Sequence, residues 1–385
     1  MEFLGYRRPD GRAGTRNYVL VIPSVACSQA AARKIAEGLR GVVFLPNIMG
    51  CGQMGEDRQI VRRVLSGFGR NPNVCSVLIV GNGCEQLTAH SLAKEIGTSG
   101  KRVEVLVIQA VGGTRKTVQE GRKLVRSMIR EASRERRAPI AVSELVVGLE
   151  CGASDFTSGL ASNPAVGHAV DLLIREGAAV ILSETPELIG ADHIMARRAR
   201  TPQVAERISR AVRWWEERAR ASGQDIREGN PSPGNIEGGI TTLEEKSLGC
   251  ILKAGSFPVE QAIEYAQSPT KSGLIFMDTP AHDIEQLTGM VAGGAQIVLF
   301  TTGRGSPCGS PIAPVVKITA NKETYRRMRD IIDMDVSAIL EGKRSIREEG
   351  ERIFRELIVY ASGRLTKAER LDQRDFAIFK MNPNI

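Results

Sequence analysis

Most short signatures by which enzymes declare their chemistry are missing from this chain. It contains no HExxH metalloprotease helix, no GxSxG nucleophile elbow and no Walker phosphate loop. Histidine is sparse, at His90, His168, His193 and His282, which leaves little material for an imidazole metal site. No CxxC pair occurs, so thiols at zinc-finger spacing are excluded. A run of about 18 apolar residues is also absent, which excludes a membrane-spanning helix of the usual kind. The opening residues, Met1 to Asp10, carry no apolar signal-peptide core. Gly81-Asn82-Gly83 is only part of a GxGxxG turn and is thin ground for nicotinamide binding. Heptads, fixed-period repeats and low-complexity tails are missing too.

What remains is a 385-residue chain, long enough for a large core and more than one domain. Its 52 Lys and Arg outnumber its 44 Asp and Glu, for a formal charge of +8, but the excess is spread widely. The densest basic cluster, Arg130 to Arg137, is interleaved with Glu131 and Glu135 and has no aromatic residue to stack a base. It reads as a solvated helix face and not as a nucleic-acid site. A mildly basic protein suits an anionic small substrate. Seven cysteines, an odd number without scaffold-like spacing, suit a reducing cytoplasm with thiols free for metal or chemistry.

The rhythm of the chain is that of an α/β protein. β-branched runs at Val19–Val25, Val42–Pro46, Val74–Val80 and Val103–Ile108 alternate with amphipathic stretches over 30–39, 56–65, 86–96 and 113–137. Pro139 marks a join. Strand-like runs resume at Leu145–Leu149, Ala178–Leu182, Gly273–Met277, Gln296–Phe300 and Pro314–Ala320, separated by helical patterns such as 163–176, 202–221, 283–291 and 349–361. The pattern predicts Rossmann-like three-layer units with parallel sheets covered on both faces, in two main domains, 1–139 and 140–385. Residues Gly5 to Tyr18 read as a polar, glycine-punctuated lead-in.

Two polar knots stand out. The first follows a strand: Glu150-Cys151-Gly152-Ala153-Ser154-Asp155, running on to Asn163-Pro164 at a helix start. The second is Asn230-Pro231-Ser232-Pro233-Gly234-Asn235 leading to Lys246 and Cys250, too rich in Gly and Pro for a core element. Thr302-Gly303-Arg304-Gly305 is a third turn, whose Arg offers a planar fork to a carboxylate. Cys27, Cys51, Cys84 and Cys151 all follow strand-like runs. Parallel strands share a C-terminal edge, so these thiols are candidates for an iron or zinc site, with buried structural cysteine as the alternative. Polar residues at strand ends suit a hydroxy-acid anion that loses a proton α to its carboxylate.

These motifs resemble those of the altronate and galactarate dehydratases. The resemblance rests on Gly148-Leu149-Glu150-Cys151-Gly152-Ala153-Ser154-Asp155 with Ala161-Ser162-Asn163-Pro164, and on Asn230 to Asn235 with Gly238 to Cys250. Thr302 to Gly305 and Gly11-Arg12-Ala13-Gly14-Thr15-Arg16-Asn17 add to it, so it spans essentially the whole chain. It implies a cytoplasmic, iron-dependent lyase, a homo-oligomer, that eliminates water from a sugar acid to leave a 2-keto-3-deoxy acid. In such an enzyme Cys27, Cys51, Cys84 and Cys151 would hold iron, as Fe(II) or as an iron–sulfur cluster. Lys246 is the candidate base, with Glu150 and Asp155 as further proton carriers. Arg16 and Arg304 would grip carboxylate, while Asn17, Ser154, Asn163, Asn230, Ser232, Asn235 and Thr302 would contact substrate. Relatives often carry an extra small SAF-like domain of about 100 residues ahead of this region, so a separate small subunit is expected here. The stretches Asp278 to Gln286 and Gly305 to Pro311 look closer to the split-subunit relatives, which include the sulfolactate sulfo-lyase large subunit. That leaves sulfite as an alternative leaving group. A non-catalytic sugar-acid binder is the remaining alternative.

Overall fold

The computed structural model describes residues 1–385. The first two strands, β1 (Glu2–Arg7) and β2 (Ala13–Gly14), pair antiparallel. Next come β3 (Tyr18–Pro23), β4 (Val42–Phe44), β5 (Val74–Gly81) and β6 (Arg102–Val107), a parallel sheet in the order β4-β3-β5-β6. The strand β7 (Ala138–Ala141) then returns to pair antiparallel with β1. This three-stranded sheet departs from the expected polar lead-in. Its pairing joins residues 139 apart at Glu2 and Ala141, a non-local partnership that leaves little local trace.

The second unit holds seven parallel strands: β8 (Val146–Cys151), β9 (Ala179–Leu182), β10 (Val259–Ile263), β11 (Gly273–Met277), β12 (Ile297–Thr301), β13 (Val315–Thr319) and β14 (Met334–Asp335). Their order is β10-β11-β9-β8-β12-β13-β14. Side chains alternate across a strand, so each buried strand feeds two cores. Leu274 and Phe276 of β11 and Leu299 of β12 pack in the core with helices Asn163–Arg175 and Ile346–Ala361. Ile275, Met277, Val298 and Phe300 join a second core that also takes Leu20, Ile22 and Val43 of the first sheet. Helices Gly55–Arg70 and Asp283–Ala292 form the layer between the sheets. Gly67 lies so close to the Ala292 backbone that a Cβ would come within 2.9 Å of its carbonyl carbon. The far face of the first sheet is covered by helices Gln29–Ala36 and Thr114–Ala132. An α/β fold of parallel sheets faced by helices is what the strand and helix rhythm requires.

Residues 371–385 cross back over both units without regular structure. Asp57 accepts hydrogen bonds from the amides of Met381 (2.7 Å) and Asn382 (2.8 Å), which anchors this segment to the first unit.

Candidate active site

The chain leaves β8 toward β9 on one side, while β12, β13 and β14 lie on the other. Strand order therefore reverses beside β8, and a doubly wound sheet opens a crevice at the carboxyl ends of the strands at such a point. The register pairs Cys151 with Thr301 and Glu150 with Phe300, so the first polar knot and the Thr302–Gly305 turn start side by side. Gly303 must be glycine for the two loops to meet: a Cβ there would lie 2.5 Å from the Asp155 amide nitrogen. Arg304 donates its backbone N–H to the Ala153 carbonyl at 2.8 Å.

A cleft of about 780 Å³ opens over this edge, lined by Cys151, Glu187, Asn230, Asn235, Lys246 and Asp283 among others. A smaller cavity of about 260 Å³ shares Cys151, Glu187 and Lys246 with it and reaches Asn163 and Cys250. The second polar knot reaches this edge through two short helices, Pro233–Glu237 and Leu243–Ile251. Ser232 and Asn235 form a capping box at the start of the first. Asn235 then spends its Nδ2 on the Ser154 carbonyl at 2.9 Å, which ties the two knots together. Thr242 caps the second helix, and its first turn presents Lys246 to the cleft.

Lys246 Nζ lies 2.5 Å from Glu187 Oε1 and 2.9 Å from Asn230 Oδ1. Burial opposes the ammonium, but Glu187 outweighs it and raises the Lys246 pKa, so Lys246 rests as a cation. Below this pair is a buried polar floor. Glu184 and Glu187 follow β9, Glu150 and Cys151 end β8, and Asp283 opens the helix after β11. Lys253 pairs with Glu184 and donates to Cys250 Sγ at 2.8 Å. The Cys250 thiol donates to Glu184 Oε2 at 3.3 Å, and the Cys151 amide donates to Glu184 Oε1 at 3.2 Å. Glu150 is wholly buried, and neither of its carboxylate oxygens has a partner. Burial first, then Asp283, pushes its pKa well above the carboxylate range. Burial also raises Asp283.

Several expected residues meet here. Cys151 Sγ is 2.9 Å from Ser154 Oγ, and Asn163 Nδ2 donates toward the same sulfur at 3.6 Å while its Oδ1 accepts from Thr301 Oγ1. Asn230, Ser232 and Asn235 line the cleft. Asp155 borders the smaller cavity but is committed: its Oδ1 accepts from the Thr157 amide and hydroxyl, and its Oδ2 from Asn321 Nδ2. Thr302 is buried and its hydroxyl accepts the Gly305 amide at 3.0 Å, so it shapes the turn. Arg304 is 41% exposed and paired with Glu237 at 2.8 Å, free enough to be taken by a substrate anion.

Others stand elsewhere. Arg16 is buried in an ion pair with Glu369 (2.6 Å), and its remaining donors go to the Thr15, Tyr360 and Arg364 carbonyls. That replaces the expected grip on a substrate carboxylate, because every donor of the fork is already used inside the protein. Asn17 donates to the Ala132 carbonyl at 3.1 Å, a link from the first sheet to its covering helix. Cys27, Cys51 and Cys84 are exposed at the ends of the first sheet's strands, whereas Cys151 is buried beside β12. A single iron would draw thiolates to within about 3.8 Å of one another at metal–sulfur bonds near 2.3 Å. No three of these four thiols lie within 4.8 Å of one another, so the set does not fit one ion.

The motif reading passed over Glu184, Glu187, Lys253 and Asp283. Their signal was present: Glu184 and Glu187 lie in the turn after the apolar run Ala179–Leu182, as Cys151 ends its own strand. Lys253 lies three residues beyond Cys250, one helical turn.

Comparison with known proteins agrees with this architecture. Residues 142–384 match the family model described as D-galactarate/Altronate dehydratase, C-terminal, and residues 5–133 match that for D-galactarate dehydratase/Altronate hydrolase, second domain. The (2R)-sulfolactate sulfo-lyase subunit beta of Chromohalobacter salexigens is 39% identical over 381 residues, 98% of this chain and 97% of that protein. Altronate dehydratase of Bacillus subtilis is 35% identical over 98% of this chain and 77% of its own length. Galactarate dehydratase (L-threo-forming) of Escherichia coli is 34% identical over 94% and 73%. No helix is long and apolar enough to cross a membrane. With both units matched and relatives more than 30% identical aligned over most of their length, the chain belongs to the D-galactarate/altronate dehydratase family of lyases.

Proposed function

We propose that this chain eliminates a β-substituent from a 2-hydroxy acid, and that its substrate is a sugar acid such as altronate or galactarate dehydrated to a 2-keto-3-deoxy acid. The observation that carries this reading is the Lys246–Glu187 pair at the wall between the two cavities, ringed by Asn230, Ser232 and Asn235. A bound carboxylate would compete with Glu187 for the Lys246 ammonium, and its neutralisation acidifies the α C–H bond. Glu187, lifted by burial and released from Lys246, then takes the α proton. The Cα–H electrons form the Cα=Cβ bond, the Cβ–O bond breaks with protonation of the leaving hydroxyl to water, and the enol tautomerises to the 2-keto acid. A polar cleft of about 780 Å³ has room for a six-carbon polyhydroxy chain and places amide and hydroxyl groups along it.

A second reading is favoured by one observation, the match to a sulfolactate sulfo-lyase subunit over 97% of that protein's length. In that case Cβ–S breaks instead, and the products are sulfite and a three-carbon 2-keto acid. The name of that relative, a subunit beta, also supports work alongside a separate partner subunit.

The test is an anaerobic assay of altronate, galactarate and (2R)-sulfolactate with Fe(II), plus and minus a small-subunit partner. Keto-acid and sulfite formation are both followed. Keto acid from a sugar acid without sulfite supports the first reading, and sulfite from sulfolactate moves the assignment to the second. Tight substrate binding without product under every condition would overturn both.

A further inference from the structure

We infer that the buried floor under Lys246 is a binding site for one divalent first-row transition metal, held by Glu184, Glu187 and Cys250 and not by the strand-end thiols of the first unit. These three residues are buried, and their donor atoms lie within 4.8 Å of one another, the one such set of His, Cys, Asp or Glu in the chain. They come from two places far apart in sequence, the turn after β9 and the helix Leu243–Ile251, so their meeting is a product of the fold.

Two further observations favour a cation at this place. Glu187 Oε2 and both oxygens of Glu150 are buried without a hydrogen-bond partner. Buried carboxylate oxygens are ordinarily paired, protonated or bound to metal. Acidic side chains also outnumber basic ones here: Lys246 and Lys253 pair with Glu187 and Glu184, which leaves Glu150 and Asp283 without an ammonium of their own. Glu150 lies close enough to Lys253 and Cys250 to act on the charge of both.

The donor set also selects the kind of ion. A thiolate beside carboxylates suits Fe(II), Co(II) or Zn(II), whereas Mg(II) and Ca(II) take oxygen ligands alone. Lys253 donates to both Cys250 Sγ and Glu184, which holds two members of the set side by side. An ion here would act as a Lewis acid toward a hydroxy acid in the cleft. Its binding does not depend on the elimination reading; only its use in catalysis rests on that reading.

Co(II) is the probe, titrated anaerobically into the metal-stripped full chain without substrate. Expected are one Co(II) per chain and a near-ultraviolet thiolate-to-cobalt charge-transfer band. Cys250→Ser should abolish that band, and Glu187→Gln should weaken binding about ten-fold or more. The triple variant Cys27→Ser, Cys51→Ser, Cys84→Ser should keep both band and affinity. A band that survives Cys250→Ser, or one that disappears in the triple variant, would overturn the assignment, as would absence of Co(II) binding by the native chain. If Cys250→Ser does not fold, X-ray absorption at the cobalt edge of the native chain decides: a shell of oxygens or nitrogens with one sulfur supports the site, and two or more sulfurs, or none, refute it. Metal binding with no lyase activity on any substrate would leave the site standing and remove only the catalytic reading.

Discussion

Lys246 Nζ and Glu187 Oε1 lie 2.5 Å apart on the wall shared by the two cavities of the site, although 59 residues separate them in sequence. The pair is nearly buried, with side-chain exposures of 10% and 6%. Removing one partner leaves the other charged in a dry site. Lys246→Met and Glu187→Gln should each lower kcat by about 10²-fold or more, the usual range for acid–base groups. The double variant should recover much of the stability lost by Lys246→Met, because the uncompensated charge is gone, yet remain inactive. Thermal melts and single-turnover assays of the three proteins check this. Recovered activity in the double variant would make the pair structural.

Asn235 joins the two polar knots through the Ser154 carbonyl and closes the capping box with Ser232. Asn235→Ala leaves both groups short of a partner and should cost about 1–3 kcal/mol of stability. Because the lost contacts position the cleft wall, KM should rise along with the loss in stability. A variant equally destabilised but with native KM would assign Asn235 to folding alone.

Arg304, on the turn after β12, is 41% exposed and held only by exposed Glu237, so a substrate carboxylate could displace that partner. Its surface ion pair contributes about 0–1 kcal/mol, so Arg304→Ala should leave the melting temperature nearly unchanged. KM should rise several-fold with kcat less affected. An unchanged KM would remove Arg304 from substrate binding.

Arg16 should behave in the opposite way. Its buried pair with Glu369 and its three carbonyl contacts tie the first sheet to the C-terminal region. Arg16→Met should cost about 3–5 kcal/mol by leaving Glu369 uncompensated. The folded fraction should turn over substrate with native KM. A raised KM at full stability would return Arg16 to the substrate.

Lys317, on β13, is buried with no partner for its ammonium, and burial pushes its pKa down to about 8. Between about pH 8 and the ordinary lysine value of 10.5, the unfolded chain holds a proton that the folded chain has released. Stability from this group therefore rises with pH across that window, and the full penalty applies below it. Lys317→Met should remove that rise and stabilise the protein at pH 7 by up to about 3 kcal/mol. Denaturant unfolding at pH 7 and pH 10 for both proteins measures the difference; equal pH slopes would show that the lysine is satisfied when folded.

Strand and helix rhythm was legible because buried parallel strands are continuous β-branched runs; Gly273–Met277 and the helix Pro202–Ala221 match their predicted bounds. The three-stranded antiparallel sheet was not, because β2 has only two residues and β1 finds its second partner, β7, only across the whole first unit. The two polar knots were visible as composition, but their connection through Asn235 was not. Glu184 and Glu187 looked like ordinary residues of a strand-end turn, since nothing local distinguishes a carboxylate that will be buried from one left in water.

Sequence alone determined the class of fold, the strand-end placement of polar loops and the membership of a lyase family, because periodicity and motif order are local properties. Tertiary structure decided which of those loops share a site. Strand order reverses at β8, which puts the loops after β8, β9, β11 and β12 on one crevice and sends Arg16, Asn17 and three of the four strand-end thiols elsewhere. Burial then decided charge: it left Lys246 and Lys253 paired and Glu150 without a partner. Desolvation depends on what surrounds a group in space, and a linear chain does not carry that information.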